Sequence, residues 1–191
     1  MNVELVYESH SLTEDNERGH ATGWLDGRLS ETGRLLAAEL GERRRNDGID
    51  AVFVSDLGRA VETAEIALGG TEIPIFRESR LRECNYGSLN GAALTRLDAE
   101  GPQGLDNGYP NGESWRQAVA RVNGFLAELV RARSGERVLV IGHMSAWYAL
   151  ECIAREAPLD EVFAIPMKWR EGWFYALDER SVAEATPSRS S

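Results

Sequence analysis

Two histidines stand at matching places in this chain. The apolar run from Val3 to Tyr7 ends in Glu8-Ser9-His10-Ser11, and the run Val138-Leu139-Val140-Ile141 ends in Gly142-His143. Each reads as a short buried strand that delivers an imidazole at its carboxyl end. Between them, a third apolar run, Ala51-Val52-Phe53-Val54, leads through Ser55 to Arg59 into the first turn of a helix. Free N–H groups at a helix start favour an anion. In open α/β sheets ligands bind outside the carboxyl ends of the strands. Two imidazoles, a guanidinium and a helix N-terminus brought to one sheet edge therefore suit a phosphate or a carboxylate. The pattern does not suit a metal, because there is no HxxxH pair and no cluster of Cys and His.

Other elements must position these groups. Ser11 to Leu29 is a long polar connection of the kind that carries function in compact domains. Ser30 predicts an N-cap for a helix over 31–46, with Leu35, Leu36, Ala37 and Leu40 as its apolar stripe. Residues 51–54 read as a strand, Ser55 and Asp56 as caps for a helix over 58–68, and 73–76 as an edge strand carrying Pro74. A loop over 80–91, a short helix over 92–99 and a surface loop over 101–112 are expected next. A long helix over 113–133, with Val119, Val122, Leu126 and Leu129 on one face, precedes the strand at 138–141. A helix over 145–156 follows, then a last strand or hairpin from 162–165 and 173–177. The alternation predicts an α/β three-layer sandwich, a mostly parallel central sheet with helices on both faces. A single domain over 1–178 and a frayed polar tail over 179–191 complete the reading.

Composition limits the partners. The 191 residues carry a formal charge of -10, with Lys168 the only lysine. Nucleic acid, whose phosphates need basic patches, is not expected. No apolar run approaches a membrane span, and no signal-peptide pattern opens the chain. Cys84 and Cys152 lack metal-ligand spacing and fit a reducing, cytoplasmic compartment. The expected partner is a small anionic substrate, with a homodimer as the candidate assembly. The five tryptophans and Tyr86 are expected mostly in core or lid packing, with an apolar pocket wall as their other use.

Several segments in order resemble one known family. These are His10 with Thr13 and Asn16, Thr22-Gly23-Trp24-Leu25-Asp26, Leu29 to Gly33, and Ser55 to Ala64. Leu81 to Gly91, Gly112-Glu113-Ser114 and Gly142-His143 complete the set. Over roughly residues 3 to 177 the chain resembles the histidine phosphatase superfamily, in its cofactor-dependent phosphoglycerate mutase-like branch. The resemblance implies a phosphoglycerate mutase-like fold and covalent phosphoryl transfer. His10 would attack phosphorus, Glu83 would protonate the leaving alcohol, and Arg59 and His143 would hold the phosphoryl oxygens. Ser9, Asn16, Thr22, Gly23, Arg59, Tyr86 and Met144 would contact substrate, and no metal or other cofactor is called for.

The family's nucleophile motif reads Arg-His-Gly, where this chain has Ser9-His10-Ser11, and Met144 replaces the glycine after the second histidine. A serine hydroxyl cannot supply the paired, charge-assisted bonds an arginine gives phosphate. Arg18, His20, Arg28, Lys168 and Arg170 are the candidates to compensate. Glu8, on the same strand face as His10, would add negative charge if turned inward. Three functions stay open. The first is hydrolysis of a small phosphomonoester. The second is acid/base chemistry such as isomerisation or elimination on a less charged metabolite, and the third is ligand binding without catalysis. A mutase, which must bind a doubly anionic substrate two ways round, fits one arginine fewer less well than hydrolysis does.

Overall fold

The computed structural model describes residues 1–100 and 103–184. The elements run β1 (Val3–Ser9), α1 (Glu14–Glu17), β2 (His20–Ala21), α2 (Glu31–Arg44), β3 (Ala51–Val54), α3 (Gly58–Leu68) and β4 (Ile75–Arg77). They continue with β5 (Ala92–Ala93), α4 (Leu94–Glu100), α5 (Gln103–Asp106), α6 (Trp115–Ala132), β6 (Arg137–Gly142), α7 (Met144–Arg155), α8 (Leu159–Phe163), β7 (Trp173–Leu177) and α9 (Glu179–Glu184). The main sheet has the order β4-β3-β6-β1-β7, and β2 pairs with β5 in a small ribbon. β4, β3, β6 and β1 are parallel, while β7 joins β1 antiparallel at one edge.

The central strands are apolar over 51–54 and 138–141 and over most of β1 because both their faces are covered. On one face Val6, Val52, Val54, Leu139 and Ile141 pack under α2 and α3 through Leu40, Ala60, Ala64 and Leu68. On the other, Leu5, Tyr7, Val138 and Val140 pack under α6 and α7 with Phe125, Leu126, Leu150 and Ile153. Val119, Val122, Leu126 and Leu129 form the buried stripe of α6, as their spacing predicts. Ser30 caps α2 by accepting from the Gly33 N–H, and Ser114 and Gln117 form a capping box on α6.

Register brings the three strand ends together. Ser9 lies opposite Gly142, and Val54 opposite Ile141. The ladder runs one residue further on each side. The His10 N–H donates to the Gly142 carbonyl at 3.0 Å, and the Ser55 N–H to the Ile141 carbonyl at 3.0 Å. His10, Ser55 and His143 thus leave three adjacent strands at one level.

Several expectations fail locally. α2 ends at Arg44, and Leu35 is exposed rather than part of its buried stripe. Ser55 and Asp56 do not cap α3; Leu57 holds that position with no side-chain bond, because Asp56 is taken by Arg82 at 2.7 Å. The 80–91 loop contains two short 3-10 turns, and 92–99 opens as a strand before turning helical. Part of the expected 101–112 loop is helix α5, and residues 101 and 102 lie outside the described residues. Residues 162–165 are no strand, since α8 covers 159–163 and buries Leu159 and Val162. The expected frayed tail begins instead as α9, whose Val182 is buried, while residues 185–191 lie outside the described ones. No described helix is long and apolar enough to cross a membrane.

Candidate active site

A cleft of about 660 Å³ opens at the carboxyl edge of the sheet, and His10, Arg59, Glu83 and His143 all line it. The imidazole centroids lie 4.9 Å apart, tilted by 53°. Arg59, buried at the start of α3, stands between the rings. Its Nε–H donates to His10 Nε2 at 3.3 Å, and its terminal NH2 to His143 Nδ1 at 3.2 Å. The rest of the guanidinium is anchored on the loop before α2, through the carbonyls of Leu25 and Gly23, each at 2.9 Å.

These contacts fix both tautomers. His10 Nδ1 lies 2.7 Å from the Ser11 carbonyl. A carbonyl only accepts, so Nδ1 carries the proton and Nε2 presents its lone pair to the Arg59 Nε–H. His143 Nδ1 accepts from Arg59, so its proton sits on Nε2 and reaches the Ser55 hydroxyl at 2.9 Å. The Tyr7 hydroxyl also holds the His143 carbonyl at 2.8 Å. Desolvation, then the Arg59 charge, lowers the His10 pKa to about 3, against the pull of the Ser11 carbonyl. The same two causes, with His10 added, hold His143 well below the ordinary histidine range. Both rings are therefore neutral at physiological pH.

Glu83 reaches the cleft from the loop before α4. Its carboxylate accepts from the Cys84 N–H at 2.9 Å and from the Ser145 and Met144 N–H groups at 3.3 Å each, at the start of α7. Burial raises its pKa, and those donors and Arg59 only partly oppose the shift. The backbone of Glu83 is held from outside. Arg121 on α6 donates to the carbonyls of Arg80, Arg82 and Glu83 and pairs with Glu113 at 2.6 Å. Trp24 adds its indole N–H to the Glu83 carbonyl at 2.7 Å.

The remaining candidates line the same cleft in different ways. Asn16 closes a capping box with Thr13 on α1. Thr22 turns its hydroxyl to Asp15 at 3.0 Å, so its methyl and backbone are what it can offer a ligand. Gly23 has φ 57°, and a Cβ there would overlap Asn90, whose side-chain oxygen accepts from Trp24 and Tyr86 N–H groups. Tyr86 is buried, with its ring edge-on to Tyr109. Ser9 and Met144 also line the cleft.

Of the residues proposed to compensate for Ser9, only His20 lines it. Arg18 is paired with Asp15 at 3.0 Å, Arg170 stacks on Trp173 at 5.1 Å, and Arg28 and Lys168 are exposed elsewhere. Glu8 is buried and lines the cleft, but Arg44 holds it at 2.8 Å. The sequence reading missed Ser55 as the partner of His143 and Arg43 as a cleft residue. The only signal for Arg43 was its place on the face of α2 that carries Leu36 and Leu40. Of the tryptophans, Trp115, Trp147 and Trp173 are core, and Trp169 is 65% exposed at the cleft wall.

Comparison with known proteins gives this geometry a lineage. Residues 9–172 match the model of the histidine phosphatase superfamily, branch 1. A 2,3-bisphosphoglycerate-dependent phosphoglycerate mutase of Methylobacterium sp. strain 4-46 is 36% identical over 163 residues, covering 76% of this chain and 77% of the relative. The solved structure of Bacillus stearothermophilus YhfR superposes with a TM-score of 0.79 at 28% identity, over 96% of this chain and 99% of that one. A mycobacterial glucosyl-3-phosphoglycerate phosphatase superposes with a TM-score of 0.74 at 26% identity, over 87% and 85%. With this sheet order, this strand-edge site and a family match spanning most of its length, the chain belongs to the histidine phosphatase superfamily, in its phosphoglycerate mutase-like branch.

Proposed function

We propose that this protein is a phosphomonoesterase that works through a phosphohistidine on His10. The observation that carries this reading is the fixed His10 tautomer, Nδ1–H on the Ser11 carbonyl at 2.7 Å and Nε2 unprotonated toward the Arg59 guanidinium. A neutral imidazole is a competent nucleophile, and its low pKa keeps it unprotonated. In the first step the Nε2 lone pair forms the N–P bond as the bond from phosphorus to the ester oxygen breaks. Glu83, whose pKa burial raises, gives its proton to the departing alkoxide. The positive charge growing on the ring is met at Nδ1–H by the Ser11 carbonyl. Substrate draws the Arg59 Nε–H and terminal NH2 donors off His10 Nε2 and His143 Nδ1 onto the phosphoryl oxygens, where transition-state charge spreads, and so frees the Nε2 lone pair. In the second step water attacks phosphorus, the Glu83 carboxylate takes its proton, and the N–P electron pair returns to Nε2 as phosphate leaves.

Hydrolysis is favoured over mutase chemistry by Ser9. With serine at the end of β1 and Glu8 already tied to Arg44, the phosphoryl site keeps Arg59 as its one close guanidinium among the described residues. A mutase has to re-seat a doubly anionic intermediate, which asks for more fixed positive charge than hydrolysis does. Phosphate release from aryl and alkyl phosphomonoesters tests the reading. Wild type should release phosphate from both classes and His10→Ala from neither. Wild type that binds vanadate yet releases no phosphate from any ester would overturn it.

A further inference from the structure

The cleft continues past the phosphoryl site along one face of α2. Leu36, Leu40 and Arg43 line it there, together with Leu12 and Trp169. Residues four and then three apart stack on one side of a helix, and seven residues at about 1.5 Å each make a strip about 10 Å long. Leu40 is buried, and Leu12 and Leu36 are half-buried, so most of the strip is apolar. Arg43 closes it with a charge.

That charge lacks a full partner. Arg44 holds Glu8 with Nε at 2.9 Å and a terminal nitrogen at 2.8 Å, and the Gly172 turn leaves room for the pair. Arg43 comes no nearer than 3.9 Å to the other Glu8 oxygen, beyond hydrogen-bond range. Its Nε–H is buried and has no hydrogen-bond partner among the described residues. One carboxylate thus serves two guanidiniums, and Arg43 is the one left with open donors in a fixed planar fork. The Nε–H is out of reach from the cleft, and the terminal nitrogens of the side chain, which is 21% exposed, are the donors an anionic oxygen there can meet.

We propose, resting on the phosphomonoesterase reading, that the phosphomonoester taken by this cleft carries a second anionic group at the far end of an apolar spacer, and that Arg43 selects it. The reacting phosphoryl group lies between His10 and Arg59, the spacer lies on Leu36 and Leu40, and the distal carboxylate or phosphate meets the Arg43 fork. A plain alkyl ester covers the leucines and leaves Arg43 unmet. A short polar ester leaves both uncovered.

The test uses non-hydrolysable ligands, so that it reads binding and not turnover. A graded chain-length series of ω-carboxyalkyl phosphonates is titrated calorimetrically against matched n-alkyl phosphonates, on wild type, Arg43→Gln and Arg43→Lys. At the best length the terminal carboxylate should tighten binding to wild type about ten- to a hundredfold over the matched alkyl ligand. Arg43→Gln should erase that ratio, and Arg43→Lys, which keeps the charge, should retain part of it. Because the ratio is taken within one protein, a general weakening of binding does not imitate the effect. An unchanged ratio in Arg43→Gln, or no carboxylate preference in wild type at any length, would overturn the proposal. Failure to hydrolyse any phosphomonoester would instead sink the phosphatase reading and leave this ratio readable.

Discussion

At His10 the two ring nitrogens have different neighbours, and the difference sets the pH behaviour of the site. Nδ1–H is committed to the Ser11 carbonyl, and Nε2 stays unprotonated down to about pH 3. As the proposed nucleophile, His10 should therefore impose no acid limb on kcat/KM above about pH 4. Glu83 has to be protonated to serve as acid, so activity on alkyl phosphates should fall as pH rises through its raised pKa. Glu83→Gln should lower kcat on alkyl phosphates by about 10²–10⁴ and on nitrophenyl phosphate far less, because a good leaving group needs little protonation. Equal losses on both, read from initial rates, would make Glu83 a shaper of its loop only. Ser9→Arg should tighten inorganic phosphate about ten- to a hundredfold by calorimetry, since a charged hydrogen bond is worth about 1.5–3 kcal/mol. Unchanged affinity would mean another cation already fills that place. At this scale His10, Arg59 and His143 were legible because each follows an apolar run that could only be a buried strand. Ser55 and Arg43 were not. A serine after a strand reads equally well as a helix cap, and an arginine in the last turn of a helix reads as surface charge. Only tertiary packing turns Ser55 to His143 and Arg43 into the cleft.

The elements hold these residues through a few long-range polar contacts. Arg121 reaches from α6 to three carbonyls of the acid loop and so positions Glu83 without touching the cleft. Arg121→Leu should let the loop shift, and a misplacement of about 1 Å costs about 10² in rate. The loss should fall on kcat, with KM little changed, and be smaller for nitrophenyl phosphate. A rise in KM alone would show the loop binding substrate instead of placing the acid. On the other side of the site, Glu8 and Arg44 form a buried pair between β1 and the end of α2, with Glu8 2% exposed. Arg44→Met should destabilise the fold by ~3–5 kcal/mol in urea titrations by stranding the carboxylate, and Glu8→Val with Arg44→Met together should recover much of it. A double variant no more stable than the single would contradict this. The strands at 51–54 and 138–141 were readable because strands covered on both faces are apolar at every position. The 80–91 segment was readable as a loop from its charge and glycines, and the role of Glu83 only through the family resemblance. The shape of the loop comes in large part from Arg121 and Trp24, neither of which is close to Glu83 in sequence, and no local pattern encodes such bonds.

Across the whole molecule the site is a cost to acid stability. His10 is pushed below its ordinary value of 6.5 to about 3, and His143 is shifted the same way. Below about pH 6.5 the unfolded chain takes up protons that the native site refuses, so stability is full above that pH and falls as pH drops, by ~1.4 kcal/mol per pH unit for each histidine. Glu83 and Glu8, raised by burial, bind protons in the native state and soften the fall. Urea titrations at pH 7 and pH 5 should show wild type losing more stability than His10→Asn; equal losses would mean the ring is not held neutral. At this scale the three-layer architecture was legible from alternating strands and helices. The ends were not: α8 and α9 are too short for periodicity to reveal, and they form because Leu159, Val162 and Val182 find the core beside α6 and α7. The proposed two-step transfer at the sheet edge that joins β1, β6 and β3 is tested most directly by rapid quench. Wild type mixed with phosphorus-labelled aryl phosphate should yield an acid-labile phosphoprotein within the first turnover, with the label on His10 by peptide mapping and absent from His10→Ala. Turnover in wild type with no labelled intermediate, together with undiminished hydrolysis by His10→Ala, would contradict the account.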